Sequence, residues 1–139
     1  MKAGAQILVR TCANIQVGEN VAIVTDPERI AIARELAREV EATGGIPSIL
    51  MPPPRAIDNA EPGQLVAAAL KAADVVFLPV TLAIAHTRAV REAIGEGARV
   101  LSMTAFTEGM MESGGLFTDF AARKPTCLAL AQRLTKGST

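Results

Sequence analysis

The stretch Asp74–Ala93, DVVFLPVTLAIAHTRAVREA, decides the fold. Val75, Val76, Phe77 and Leu78 are apolar at successive positions rather than alternate ones. Such a strand is covered on both faces, the situation of a strand inside a parallel α/β sheet flanked by helices. Pro79 ends the run, since proline has no N–H to give to a ladder. The following loop holds Thr81 and the chain's single histidine, His86. It therefore lies at the carboxyl edge of the sheet, where open α/β sheets take their ligands. From about Ala83 to Gly95 the pattern predicts a helix, with His86, Val90 and Ile94 at four-residue steps on one face.

Toward the amino terminus, Ile7, Leu8, Cys12 and Ile15 predict a helix over Ala5 to Ile15, and Val21 to Thr25 reads as the first strand. Thr25-Asp26-Pro27-Glu28 is a dense helix-start signal. The helix it opens has Ile30, Ala33, Leu36, Ala37 and Val40 on its inner face and Arg34, Glu35, Arg38 and Glu39 largely outside; Gly44 and Gly45 close it. A second strand, Ile46 to Met51, runs into Pro52-Pro53-Pro54, a stiff extended exit. Arg55 to Glu61 reads as loop, and Gln64 to Ala73 as a helix with Leu65, Val66, Ala69 and Leu70 as its buried stripe.

Toward the carboxyl terminus, Arg99 to Met103 supplies a fourth strand. Gly109 to Ser113 is a short helical segment, Gly114-Gly115 a break, and Phe117 to Leu134 a final helical region offset near Lys124-Pro125. Strands alternating with helices imply crossover units around a parallel sheet. The expected fold is a single three-layer α/β domain over residues 1–139, Rossmann-like (flavodoxin-like), with about four strands in the order 2-1-3-4. That order sets a switch point between the first and third strands.

Composition narrows the function classes. Fourteen basic and fourteen acidic side chains give no electrostatic case for nucleic acid or an anionic membrane as partner. With four Phe and no Trp or Tyr there is little from which to build base-stacking platforms. Cys12 and Cys127 lack CxxC spacing and sit in apolar helical patterns, so buried, inert thiols are expected. No basic-then-apolar leader opens the sequence and no apolar run reaches the about 18 residues that span a bilayer, so a cytoplasmic location is expected.

The carboxyl edge would gather Thr25, Asp26 and Glu28 after the first strand, Thr81, His86 and Thr87 after the third, and Thr104, Thr107 and Glu108 after the fourth. Each has a plainer reading. Thr and Asp at such positions cap helices, and a histidine sharing a face with aliphatics is a core or capping residue as readily as a ligand contact. The turn after the first strand has no glycines to admit a pyrophosphate, and no GxxxxGK[ST], HExxH or GxSxG is present. The residues alone show no complete catalytic apparatus.

The runs VGENVAIVTDPERIAIARELAREVEATGG, MPPP, KAADVVFLPVTLAIAHTRAVREAIGEGARVLSM and FTEGMMESGGLFTDF resemble the amino-terminal region of a bacterial family. That family contains the aminopeptidase T type leucyl aminopeptidases, which are metallopeptidases, and the related 2,5-dihydroxypyridine ring-cleaving dioxygenases. The resemblance runs from about Cys12 to Leu134. Its most specific parts are Gly18-Glu19, Thr25-Asp26, Ala73-Asp74, His86-Thr87-Arg88 and Thr107-Glu108 with Met110. Where members often carry hydroxyl side chains before the His-Thr pair, this chain has Ala83 and Ala85.

In the family, this α/β domain precedes a longer carboxyl-terminal domain bearing the metal ligands and catalytic residues, and the present sequence stops near where that domain begins. No metal ligand carries over. The resemblance thus implies the amino-terminal domain of a metal-dependent aminopeptidase-like enzyme, shaping a substrate cleft or an oligomer interface and catalytically silent alone. It implies no cofactor within this chain and a divalent metal in the absent carboxyl-terminal domain. Its partners would be that domain and further copies in a homo-oligomer. Thr81, His86, Thr87, Arg88, Thr107 and Glu108 are the candidate contacts with substrate or interface. Two alternatives stay open: the corresponding domain of a ring-cleaving dioxygenase, and a stand-alone α/β module binding a small ligand or a protein at the same edge.

Overall fold

Four parallel strands lie side by side in a computed structural model that describes residues 1–137. They are β1 (Asn20–Val24), β2 (Ile46–Leu50), β3 (Val75–Leu78) and β4 (Arg99–Ser102), in the expected order β2-β1-β3-β4. The helices are α1 (Lys2–Gln6), α2 (Ile30–Ala42), α3 (Gln64–Ala72), α4 (Arg88–Gly95) and α5 (Phe120–Lys136).

The unbroken apolar runs of the central strands are explained by two cores. Val21, Ile23, Val75 and Phe77 pack on one face with Ile32, Leu36 and Val40 of α2 and with Ala5, Leu8 and Val9 of the amino-terminal helix. Ala22, Val24, Val76 and Leu78 face the other way, onto Val66 and Leu70 of α3 and Ala89, Val90 and Ala93 of α4. Burying side chains of this kind contributes about 1.5–3 kcal/mol each, enough to fix which face every β1 and β3 residue presents. Along the outer edge of β2, Pro47 breaks the sequence of N–H groups. Ile46 N–H goes inward to Glu19 O at 2.8 Å, so the Pro47 nitrogen, one residue on, faces away from β1.

Several local expectations are corrected. The first helix is α-helical only to Gln6 and then widens into a π-helical stretch, Ile7–Cys12, in which Ala13 N–H reaches back to Leu8 O at 2.8 Å. A π turn takes in an extra residue and rotates those beyond it. Ala13 therefore points into the core, and Cys12, expected to be buried, is exposed. Enough chain still surrounds the Cys12 sulfur to push its thiol pKa up by desolvation. Cys127 is exposed as well. Glu39, expected outside, is buried against α1's extension, where Arg10 Nε donates to its Oε1 at 2.6 Å. Leu65, expected in the buried stripe of α3, is 85% exposed.

The amino-terminal helix sits so close to the 3-10 turn Gly109–Met111 that only glycine fits at position 4. A Cβ there would come within 2.7 Å of Met111 Cα and 2.9 Å of its carbonyl carbon. At the other end, no residue of α5 is buried, and Pro125 lies inside it. Among the described residues no helix is long and apolar enough to cross a membrane.

Candidate functional site

The switch point between β1 and β3 is held shut at its base and open above. Thr25, buried at the end of β1, donates its hydroxyl to Pro79 O at the end of β3, 3.0 Å away. Asp26 then does two things. Its Oδ1 accepts Arg29 N–H at 3.2 Å and so caps the 3-10 turn Pro27–Arg29 that leads into α2, while its Oδ2 accepts Thr81 N–H at 2.5 Å. The capping expectation for Asp26 is thus met, with a second bond that ties the β1 loop to the β3 loop. The Thr81 hydroxyl donates to Glu28 Oε2 at 3.3 Å.

Above these residues is a cavity of about 260 Å³. Its walls come from three loops: Val24 to Glu28 after β1, Pro52 to Arg55 after β2, and Val80 to Leu82 after β3. Arg55 closes one side by donating Nη2 to Leu82 O at 2.7 Å. Partial burial lowers the pKa of its guanidinium, against which the neighbouring Asp26 and Asp58 carboxylates act.

Beside the cavity, the loop 55–61 grips the segment 82–89. Asp58 Oδ1 accepts Ala83 N–H at 2.6 Å, Asn59 N–H donates to Ala83 O at 2.7 Å, and Asn59 Oδ1 accepts His86 N–H at 3.1 Å. Glu61 places its carboxylate at the amino terminus of α4, taking Arg88 N–H at 2.6 Å and Ala89 N–H at 3.4 Å. The Arg88 amide bond is the main cause of the Glu61 pKa lying below its ordinary value. A carboxylate there also faces the positive end of the helix dipole.

This grip explains why the helix begins later than expected. Leu82, Ala83 and His86 give backbone groups to the facing loop, and Thr87 caps α4, accepting Val90 N–H at 3.3 Å and donating to Ile84 O at 2.8 Å. His86 precedes the helix and is exposed rather than packed with Val90, and the hydrogen bonds at this residue are made by its backbone. Arg88 is the first helical residue, and its Nε lies 3.7 Å from Glu92 Oε1.

Of the expected site residues, Thr81 alone lines the cavity, together with Thr25, Asp26 and Glu28. His86, Thr87 and Arg88 belong to the neighbouring grip. Thr107 caps the 3-10 turn after β4 by accepting Met110 N–H at 3.3 Å, Glu108 is exposed beside it, and neither lines the cavity. Sequence reasoning missed Arg55 and the role of the three prolines as a wall. The signal was available: a loop leaving the carboxyl end of β2 must pass the end of β1, its neighbour in the order 2-1-3-4. Among the described residues no three His, Cys, Asp or Glu side chains are grouped to hold a metal ion.

No protein-family model matches the chain, and no curated protein matches it either.

Proposed function

We propose that this α/β unit is the amino-terminal domain of a metal-dependent aminopeptidase-like enzyme, catalytically silent alone and serving the substrate cleft or an interface between subunits. The resemblance of its sequence runs to that family supports the reading, and one structural observation carries it. Helix α5 exposes Leu128 at 53%, Leu130 at 55% and Leu134 at 81%, and buries none of its residues. Helices of this length draw most of their stability from packing an apolar face, and an interior proline such as Pro125 costs about 3 kcal/mol more. Three leucines open to solvent on an otherwise unburied helix favour contact with a further polypeptide surface.

The test is the mass of the native protein in extracts of its source, by immunoblot with antibody raised against this domain. A band much heavier than the 14.5 kDa of this chain is expected. A band at that mass would overturn the reading.

A stand-alone binding module is the second reading, favoured by the cavity at the switch point, the place where open α/β sheets bind ligands. The light band would leave it standing.

A further inference from the structure

We infer that residues 52–61 are a hinged wall of the cavity, held shut by the polar latch to residues 82–89, and that release of this latch opens the cavity and bares the amino terminus of α4 together. The inference concerns the motion of this chain alone and is independent of whether it belongs to a longer enzyme.

Two of the three walls cannot move without the sheet. Val24, Thr25 and Val80 are buried, and the Thr25 hydroxyl on Pro79 O ties the ends of β1 and β3 to each other. The third wall is built differently. Thr25 N–H still reaches Leu50 O at 2.9 Å, but beyond that bond the chain leaves the sheet, and no residue from 51 to 65 is buried. Ile57, the largest apolar side chain of the gripping loop, is 66% exposed. No buried side chain anchors this segment.

What holds it is hydrogen bonding from Arg55, Asp58, Asn59 and Glu61 to the backbone of residues 82–89. The bonds to Ala83, His86 and Arg88 N–H lie at the surface, where water replaces a lost partner and the net contribution of each bond is small. Segments with exposed hydrogen bonds and few buried apolar contacts open at free energies well below that of global unfolding. Pro52 to Pro54 form a stiff extended rod, so this wall moves as a unit. Gly63 ends the segment before α3 with nothing packed around it, since a Cβ there would meet no atom within 4 Å.

The latch also reaches α4. Glu61 takes the N–H groups of Arg88 and Ala89, whereas Thr87 takes that of Val90. Release of the wall leaves two first-turn amides of α4 to water, so access to the cavity and fraying of that helix are one event.

Native-state hydrogen exchange of the ¹⁵N-labelled chain in low urea tests this. The amides of Ala83, His86 and Arg88 are bonded to three different latch residues, and they should share one opening free energy, well below that of Ile23 and Val76 in the central strands. That free energy should barely change with urea, because little surface is exposed on opening. Asp58→Ala removes the side-chain bond to Ala83 N–H only, yet a concerted latch requires His86 and Arg88 to exchange faster as well. The expected factor is about tenfold, equivalent to about 1.4 kcal/mol and close to the lower bound for a hydrogen bond to a charged group. Access is read with Val80→Cys in a chain whose Cys12 and Cys127 are replaced by serine. The introduced thiol, at a buried position of the lining, should react with a thiol reagent at a rate equally insensitive to low urea.

Separate opening free energies for the three amides would overturn the proposal, as would acceleration of Ala83 alone in Asp58→Ala. Thiol labelling that follows the urea dependence of global unfolding would do so too. The exchange measurement on the wild-type chain needs no substitution, so it decides the matter even if the variants fold poorly.

Discussion

Replacing Asp26 separates its two tasks. Asp26→Ala removes both the cap on Arg29 N–H and the bond to Thr81 N–H. Loss of a helix cap costs about 1 kcal/mol. The bond to Thr81 is charge-assisted but lies at the surface, which puts it near the lower limit of about 1.5 kcal/mol for such bonds. The two sum to about 2.5 kcal/mol. Asp26→Asn keeps a cap of equal quality but offers one oxygen where two are used, so it should lose only the Thr81 term, about 1.5 kcal/mol. Urea unfolding measures both. With a slope of about 2 kcal/mol per molar, the midpoint should fall by about 1.2 M for Ala and about 0.7 M for Asn, with the slope unchanged. Equal losses for the two variants would mean that the cap contributes nothing and the bond to Thr81 carries the whole effect, whereas no loss for Asn would mean that Asp26 does not fasten the β3 loop. A loss under about 0.5 kcal/mol for Ala would remove both roles.

Gly4→Ala sets helix propensity against space. Alanine gains about 1 kcal/mol in a helix, but its Cβ would meet the Met111 backbone, which cannot swing aside, so a net loss of about 1–2 kcal/mol is expected, read as a lower melting temperature. Glu61 predicts a pH dependence. Its pKa is lowered on folding, so its contribution is present above the ordinary value of 4.5 and is lost as pH falls through the folded value. The stability gap between wild type and Glu61→Gln, measured by denaturant unfolding, should therefore be widest near neutral pH and close below pH 4.5. A gap that is constant with pH would contradict it. Leu134→Ser, at a side chain 81% exposed, should leave the unfolding free energy within about 0.5 kcal/mol of wild type while reducing any self-association seen by light scattering.

The fold was legible because β3 carries its own address: Val75 to Leu78 are needed on both faces, and a run apolar at every position says so. Asp26, Glu28 and Thr81 were legible as edge residues for the same reason, being fixed by strand ends. What failed was set by partners distant in sequence. The α4 start could not be read locally because the amides of Ala83, His86, Arg88 and Ala89 are taken by Asp58, Asn59 and Glu61, some 25 to 28 positions earlier. Arg55 was legible in its place, since the loop after β2 must pass the end of β1, but not in its bond to Leu82 O, 27 positions on. Cys12 was misplaced by a π turn, which period-3.6 reasoning does not contain, and Glu39 looked solvent-facing because its partner, Arg10, lies on another element.

The proline in β2 bears on how this protein can associate. An edge strand with a full row of free N–H and C=O groups is a template on which another chain can add a strand, the first step of sheet-to-sheet aggregation. Along β2 the outward-facing residues are Pro47 and Ile49, so half of the outward donors of this short strand are absent. Three more prolines follow directly after Met51, removing any continuation of the template. Two exposed isoleucines, Ile46 and Ile49, would otherwise make this edge adhesive. The strand is thus sticky in its side chains and thinned in its backbone, so copies that meet there find one outward donor, Ile49 N–H, on which to extend the sheet from one molecule to the next.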